Sequence, residues 1–249
     1  MALIQRGSLD NFSARVAASR RATRPALGAL RTLGALAEAT RAVQPTPLEF
    51  DVSTSPRGLA LKSLKLTQGF EGFLQDLLDP TNEVYFLAWS WDLSGQPAVQ
   101  YPGANPSAES CIIPLKVGQV REFLGAGIAL FPARQITAGL ALRIMIWESD
   151  QGARDFGKAL SGVAEAVKGS KLNNLFSLIS LAGGATTATV ALIKDAAVEL
   201  ADVIGKVLQT MSDDYVDFYE GYYPAADPWT GGDEAHQGNA SEIALTRLT

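Results

Sequence analysis

The stretch from Asn82 to Trp91 constrains the fold more than any other, because Val84, Phe86, Ala88 and Ser90 alternate there with Tyr85, Leu87, Trp89 and Trp91. Residues two apart in an extended chain share a face, so both faces of this strand are large or apolar. Such a strand has no side to give to water and belongs in the interior of a sheet. Asp92-Leu93-Ser94-Gly95 closes it with turn-forming residues.

The same period recurs along the chain. Leu48, Phe50 and Val52 alternate with Glu49, Asp51 and Ser53, while Leu59, Leu61, Leu64 and Leu66 flank Lys62 and Lys65 with one break in step, which predicts a strand with a bulge. Further strands are expected over 98–101, 111–115, 127–131 and 140–147. At the end of the chain Ile243, Leu245 and Arg247 alternate with Ala244, Thr246 and Leu248. Short strands separated by Gly, Pro and Ser turns favour an antiparallel β-sandwich over a parallel sheet with crossover helices.

Two regions break the period. In the first 45 residues Ser8 suits the cap of a helix from Leu9 to about Arg21, and Pro25 opens a second through Leu27, Leu30, Leu33 and Leu36. After Asp150, Phe156, Leu160, Val163 and Val167 share a helical face, an apolar segment follows from Leu172 to Leu181, and a long helix is expected between Ala185 and Leu208. The expected class is therefore mainly β with α: a basic helical arm over 1–45, then an antiparallel sandwich over 46–249 interrupted at about 155–210 by a helical hairpin. The chain of 249 residues is long enough to bury one continuous core without disulfides. The 22 uncharged residues between Lys171 and Lys194 approach the length of a membrane span. Asn173, Asn174, Gly183, Gly184 and three threonines weaken that run, so a hairpin bent at the two glycines and covering the sandwich or another subunit is the expected form.

A net charge of -5 argues against a nucleic-acid-binding role, which needs a dense positive surface. Seven arginines against Asp10 and Glu38 give residues 1–45 a charge of +5, which leaves -10 on the rest. That arm reads either as packing on its own acidic body or as a contact with an acidic partner or lipid headgroups. The single cysteine, Cys111, excludes an intramolecular disulfide and reads as a buried inert thiol. Arg6, Asp10 and Arg15 interrupt the N-terminus, so no conventional signal peptide is read; the expected location is cytoplasmic or exported by another route.

The sharpest local signal is the segment from Trp147 to Gly157. Glu148 and Asp150 are spaced by two at a strand end and Asp155 returns after a short loop, so three carboxylates are available for one hard cation, and calcium suits such oxygen donors. The competing reading makes them solvated loop acids, with Asp155 capping the following helix. Trp147, Asp150, Asp155 and Phe156 resemble the third calcium-binding loop of the C2 domain family, although Glu148 replaces a usual aspartate and Gly157 comes one position early. The stretch from Gln75 to Tyr85, with Asp76 and Asp79-Pro80, resembles the family's first loop. This resemblance covers roughly residues 48–157 and the terminal strand, and implies an eight-stranded sandwich with calcium at one rim, held by Asp76, Asp79, Glu148, Asp150 and Asp155. It also implies membrane or protein contact as the activity.

Other segments carry weaker signals. Ser212 to Tyr223 mixes acids and aromatics, and reads either as a sugar or cation recognition face or as aromatics packed on the sandwich with their acids toward water. Pro224 to Gly238 reads as an irregular loop in which His236 is exposed, or else a base beside Asp233 or Glu234. No nucleophile elbow, paired-histidine metal motif or phosphate-binding glycine loop occurs. The leading expectation is a noncatalytic, calcium-responsive membrane or protein binding module. An enzyme or effector acting on polysaccharide or cell-wall material, and a structural homo-oligomer, are the alternatives.

Overall fold

The computed structural model describes residues 3–7, 51–69, 81–103 apart from 93, 95 and 97, 108–149 and 214–249. The alternating stretches form strands β1 (Leu3–Gly7), β2 (Arg57–Leu66), β3 (Thr81–Trp91), β4 (Val99–Tyr101), β5 (Ile113–Lys116) and β6 (Val120–Glu122). They continue with β7 (Ile128–Arg134), β8 (Gly139–Glu148), β9 (Asp214–Pro224), β10 (Gly232–Gln237) and β11 (Ser241–Leu248). Every pairing is antiparallel. One sheet has the order β1-β9-β8-β3-β4, with β5 also on β3; the other runs β10-β11-β2-β6, with β7 also on β2.

β3 takes the interior place its two apolar faces require, between β8 on one side and β4 and β5 on the other. Val84, Phe86 and Ala88 join the core between the sheets, with Leu142, Ile144, Ile146 and Tyr219 beside them. Leu59, Leu61, Leu64 and Leu66 of β2 and Ile243 and Leu245 of β11 meet them from the second sheet. The opposite face of the first sheet is buried as well, at Tyr85, Leu87, Trp89, Met145, Trp147 and Phe218. The Tyr85 and Trp147 rings stack there with centroids 5.9 Å apart. The bulge expected in β2 is present: Ser63 faces Ala244 and Leu61 faces Leu245, so Lys62 is the extra residue. That single insertion restores the step and lets Leu61 and Leu64 point into one core despite their odd spacing.

Several expectations are corrected. The class is all β, not mainly β with α: among the described residues helix is confined to the four-residue α1 (Ala108–Cys111). The helical arm over 1–45 is not shown, since Leu3–Gly7 is an edge strand paired with residues 218–222 of β9. Five residues cannot meet the cost of nucleating a helix alone, whereas an open strand edge offers them backbone partners at once. The remainder of that arm, and the helical hairpin expected over about 155–210, lie outside the described residues, and nothing in the described fold supports either. Of the strand expected from Leu48, residues 48–50 lie outside the described residues, and Val52 makes an isolated bridge with Thr137. Cys111 ends α1, and β5 begins at Ile113. The stretch taken for an irregular loop contains β10, which pairs along its whole length with β11.

Candidate functional site

Sheet register brings the residues that flank segments 70–80 and 150–213 to one end of the sandwich. Val84, near the start of β3, lies opposite Glu148, the last residue of β8, and the Ser149 N–H donates to the Glu83 carbonyl at 2.8 Å. β9 begins at Asp214, also opposite Glu148. Segments 70–80 and 150–213 are therefore rooted on neighbouring strands. Four of the five sequence-predicted metal ligands, Asp76, Asp79, Asp150 and Asp155, lie in those segments, outside the described residues. Glu148 is placed: it shares a face with Ile144 and Ile146, is turned toward the space between the sheets, and is 1% exposed.

The same end carries a buried carboxylate that the sequence reading assigned to solvent. Asp217 is fully buried in β9. Its Oδ2 accepts from the Ala240 N–H at 2.8 Å, the Ser241 N–H at 2.9 Å and the Ser241 hydroxyl at 2.9 Å, and its Oδ1 from the Asn239 N–H at 3.1 Å. Tyr219, two residues on and facing the same way, donates its hydroxyl to the Ser241 carbonyl at 3.0 Å and lies 2.8 Å from Ser241 Oγ. The turn joining β10 to β11 is thus fastened across the sandwich to the first sheet. A side chain at Gly238 is excluded, because its Cβ would stand 2.3 Å from Asp217 Oδ2 and 2.6 Å from the Tyr219 hydroxyl. With four donors on a group that offers about four acceptor sites, Asp217 positions backbone and has little capacity left for a metal or substrate. The signal for this lay in the spacing of Asp217 and Tyr219, which puts the acid beside an aromatic side chain on one face of the strand.

The other end is closed by cations. Arg57 is 2% exposed and donates to the carbonyls of Pro224, Ala225 and Asp227 at 2.6, 2.5 and 2.6 Å, holding the chain as it leaves β9. Burial lowers its pKa, and Asp227 opposes that shift. Its guanidinium lies 5.2 Å from the centroid of the Trp229 ring, and that of Arg247 lies 5.7 Å away. Trp229 donates Nε1–H to the Leu248 carbonyl at 2.7 Å and meets Tyr223 edge-on. Arg247 in turn pairs with Glu234 at 2.6 Å. His236, expected to be exposed, keeps only 13% of its side-chain surface and lies 3.6 Å from Glu234. Its position opposite Ile243 in the β10–β11 ladder turns it toward the core side. At the end of β3, Asp92 accepts from Arg134 at 3.1 Å, the Thr137 N–H at 3.1 Å and the Ser94 hydroxyl at 2.7 Å. Sequence spacing gave no sign of Arg57, whose acceptors lie more than 160 residues away.

No protein-family profile matches the chain, and no curated protein matches it. The solved structure of human GIVD cytosolic phospholipase A2, in complex with methyl gamma-linolenyl fluorophosphonate inhibitor and terbium chloride, is similar at a TM-score of 0.32 and 7% sequence identity. The match covers 80% of this chain and 18% of that one. No family is established. The described fold agrees with the C2 resemblance as far as a sandwich of antiparallel sheets.

Proposed function

We propose that the chain is a noncatalytic binding module that meets a membrane surface or a partner protein at the end of the sandwich where segments 70–80 and 150–213 are rooted, and that this contact responds to calcium. The observation supporting the reading is the adjacency of those roots, joined by the Val84–Glu148 pairing and the Ser149–Glu83 hydrogen bond. Segments that leave side by side need little reach to bring Asp76, Asp79, Asp150 and Asp155 to one cation, and calcium takes several oxygens in a flexible shell. The polar clusters around Asp217 and Arg57 hold backbone groups, which suits a scaffold.

Thermal melting and vesicle sedimentation with calcium or with chelator test this. Calcium at a hundredfold excess over its dissociation constant should stabilise the folded protein by about 2.7 kcal/mol. Asp150→Asn and Asp155→Asn should each reduce that rise while leaving the calcium-free melting temperature in place. A wild-type protein whose melting and sedimentation ignore calcium overturns the reading.

A further inference from the structure

We infer that the sandwich edge formed by β6 and the turn after it is a second contact surface, which lies on lipid bilayers carrying anionic headgroups. Leu124 is 97% exposed, with Val120 at 50% and Val117 at 45% on the same stretch of chain. A single exposed leucine is ordinary on a protein surface. This one is held in place. The Phe123 N–H donates to the Lys62 carbonyl at 2.9 Å and the Gly127 N–H to the Leu124 carbonyl at 3.1 Å. Lys62, the bulge residue of β2, reaches back with Nζ 2.7 Å from the Gly125 carbonyl and 3.5 Å from that of Phe123. Gly125 and Gly127 have φ of 61° and 101°, and a Cβ on Gly127 would stand 2.2 Å from the Leu61 carbonyl oxygen. Phe123 packs against the core while its neighbour Leu124 projects outward.

An apolar tip fixed before contact loses little conformational freedom on binding. Its surroundings select the occupant. Lys116 and Arg121 are exposed on the stretch of chain that leads into this turn, with Glu122 the acid among them. A protruding leucine with exposed cations on the chain leading into it fits an apolar side chain entering the acyl boundary while ammonium and guanidinium groups meet anionic headgroups. A partner strand added to the edge is a poorer match, since β6 offers only three residues between two turns. Because the whole chain carries -5, the attraction is local and weakens with salt. The surface adjoins the end proposed to respond to calcium, since Lys116 lies opposite Thr81, but Leu124 and Arg121 belong to neither segment proposed to hold the ion.

The test is sedimentation of the full chain in chelator with phosphatidylcholine vesicles, with and without phosphatidylserine. Wild type should bind the anionic vesicles and lose binding as salt is raised. Leu124→Ser should lower that partition by about tenfold, the scale of burying one leucine. Lys116→Gln and Arg121→Gln should lower it by about fivefold each. All three variants should melt with wild type, and Asp150→Asn should keep its chelator-insensitive binding, which separates this surface from the calcium-responsive end. Equal binding by Leu124→Ser and wild type, or no binding by wild type in chelator, overturns the inference. So does a vesicle-free dimer that Leu124→Ser turns into a monomer, since a second copy would then occupy the edge.

Discussion

Replacing Asp217 with alanine removes the acceptor of three backbone amides in the turn between β10 and β11. The Ala240 and Ser241 donors are buried, and each should cost about 1–3 kcal/mol when left without an acceptor. The Asn239 amide is only part-buried and can turn to water, and the Ser241 hydroxyl keeps Tyr219. Against this loss stands the relief of not burying a carboxylate, so the net destabilisation should be about 2–4 kcal/mol. For a domain of this size that corresponds to a melting temperature lower by about 5–15 °C. Asp217→Asn keeps one acceptor oxygen in the same volume but sets an amide NH2 against backbone donors, and should lose about half as much. Urea unfolding is the direct assay: the midpoint should fall in the order wild type, Asn, Ala at constant slope. Amide exchange at Ala240 and Ser241 should accelerate most. An alanine variant within about 0.5 kcal/mol of wild type, the range of an ordinary surface change, would refute the reasoning.

Gly238→Ala forces its methyl into the Asp217 carboxylate from the other side and should destabilise by about 1–3 kcal/mol in the same unfolding assay. Arg57→Met deprives three carbonyls of their donor and Trp229 of one of its two cations, so a loss of about 2–4 kcal/mol is expected, together with a shift in tryptophan fluorescence. Burial, with Cys111 alongside, pushes the Tyr101 phenol up from 10.0 to about 12. Folding therefore favours the neutral phenol. Its contribution is whole below pH 10 and is lost as pH rises through about 12, so Tyr101→Phe should blunt the alkaline loss of stability, followed by phenolate absorbance and melting.

Strands are legible in the sequence where side-chain alternation states their burial. β3 is legible because both of its rows are apolar, β8 because Leu140, Leu142, Ile144 and Ile146 keep step, and the bulge at Lys62 because two leucine pairs fall out of phase by one residue. These signals are local, set by a side-chain period of two. The other features depend on partners far away in the chain. Leu3–Gly7 becomes a strand because the open edge of β9 lies some two hundred residues downstream, and no local periodicity can report that pairing. β10 carries Asp233, Glu234 and His236 and reads as a polar loop until β11 supplies its ladder. Asp217 looks like a solvated acid until the Asn239–Ser241 amides converge on it, and Arg57 like a surface cation until the chain beyond β9 turns its carbonyls inward. A buried charge is tolerated only where its hydrogen-bond partners are already assembled, and that assembly is a property of the packed sheets. For the proposed calcium site the carboxylates were legible in the sequence, whereas the adjacency of Val84 and Glu148 and the burial of Glu148 come from sheet register, a long-range property.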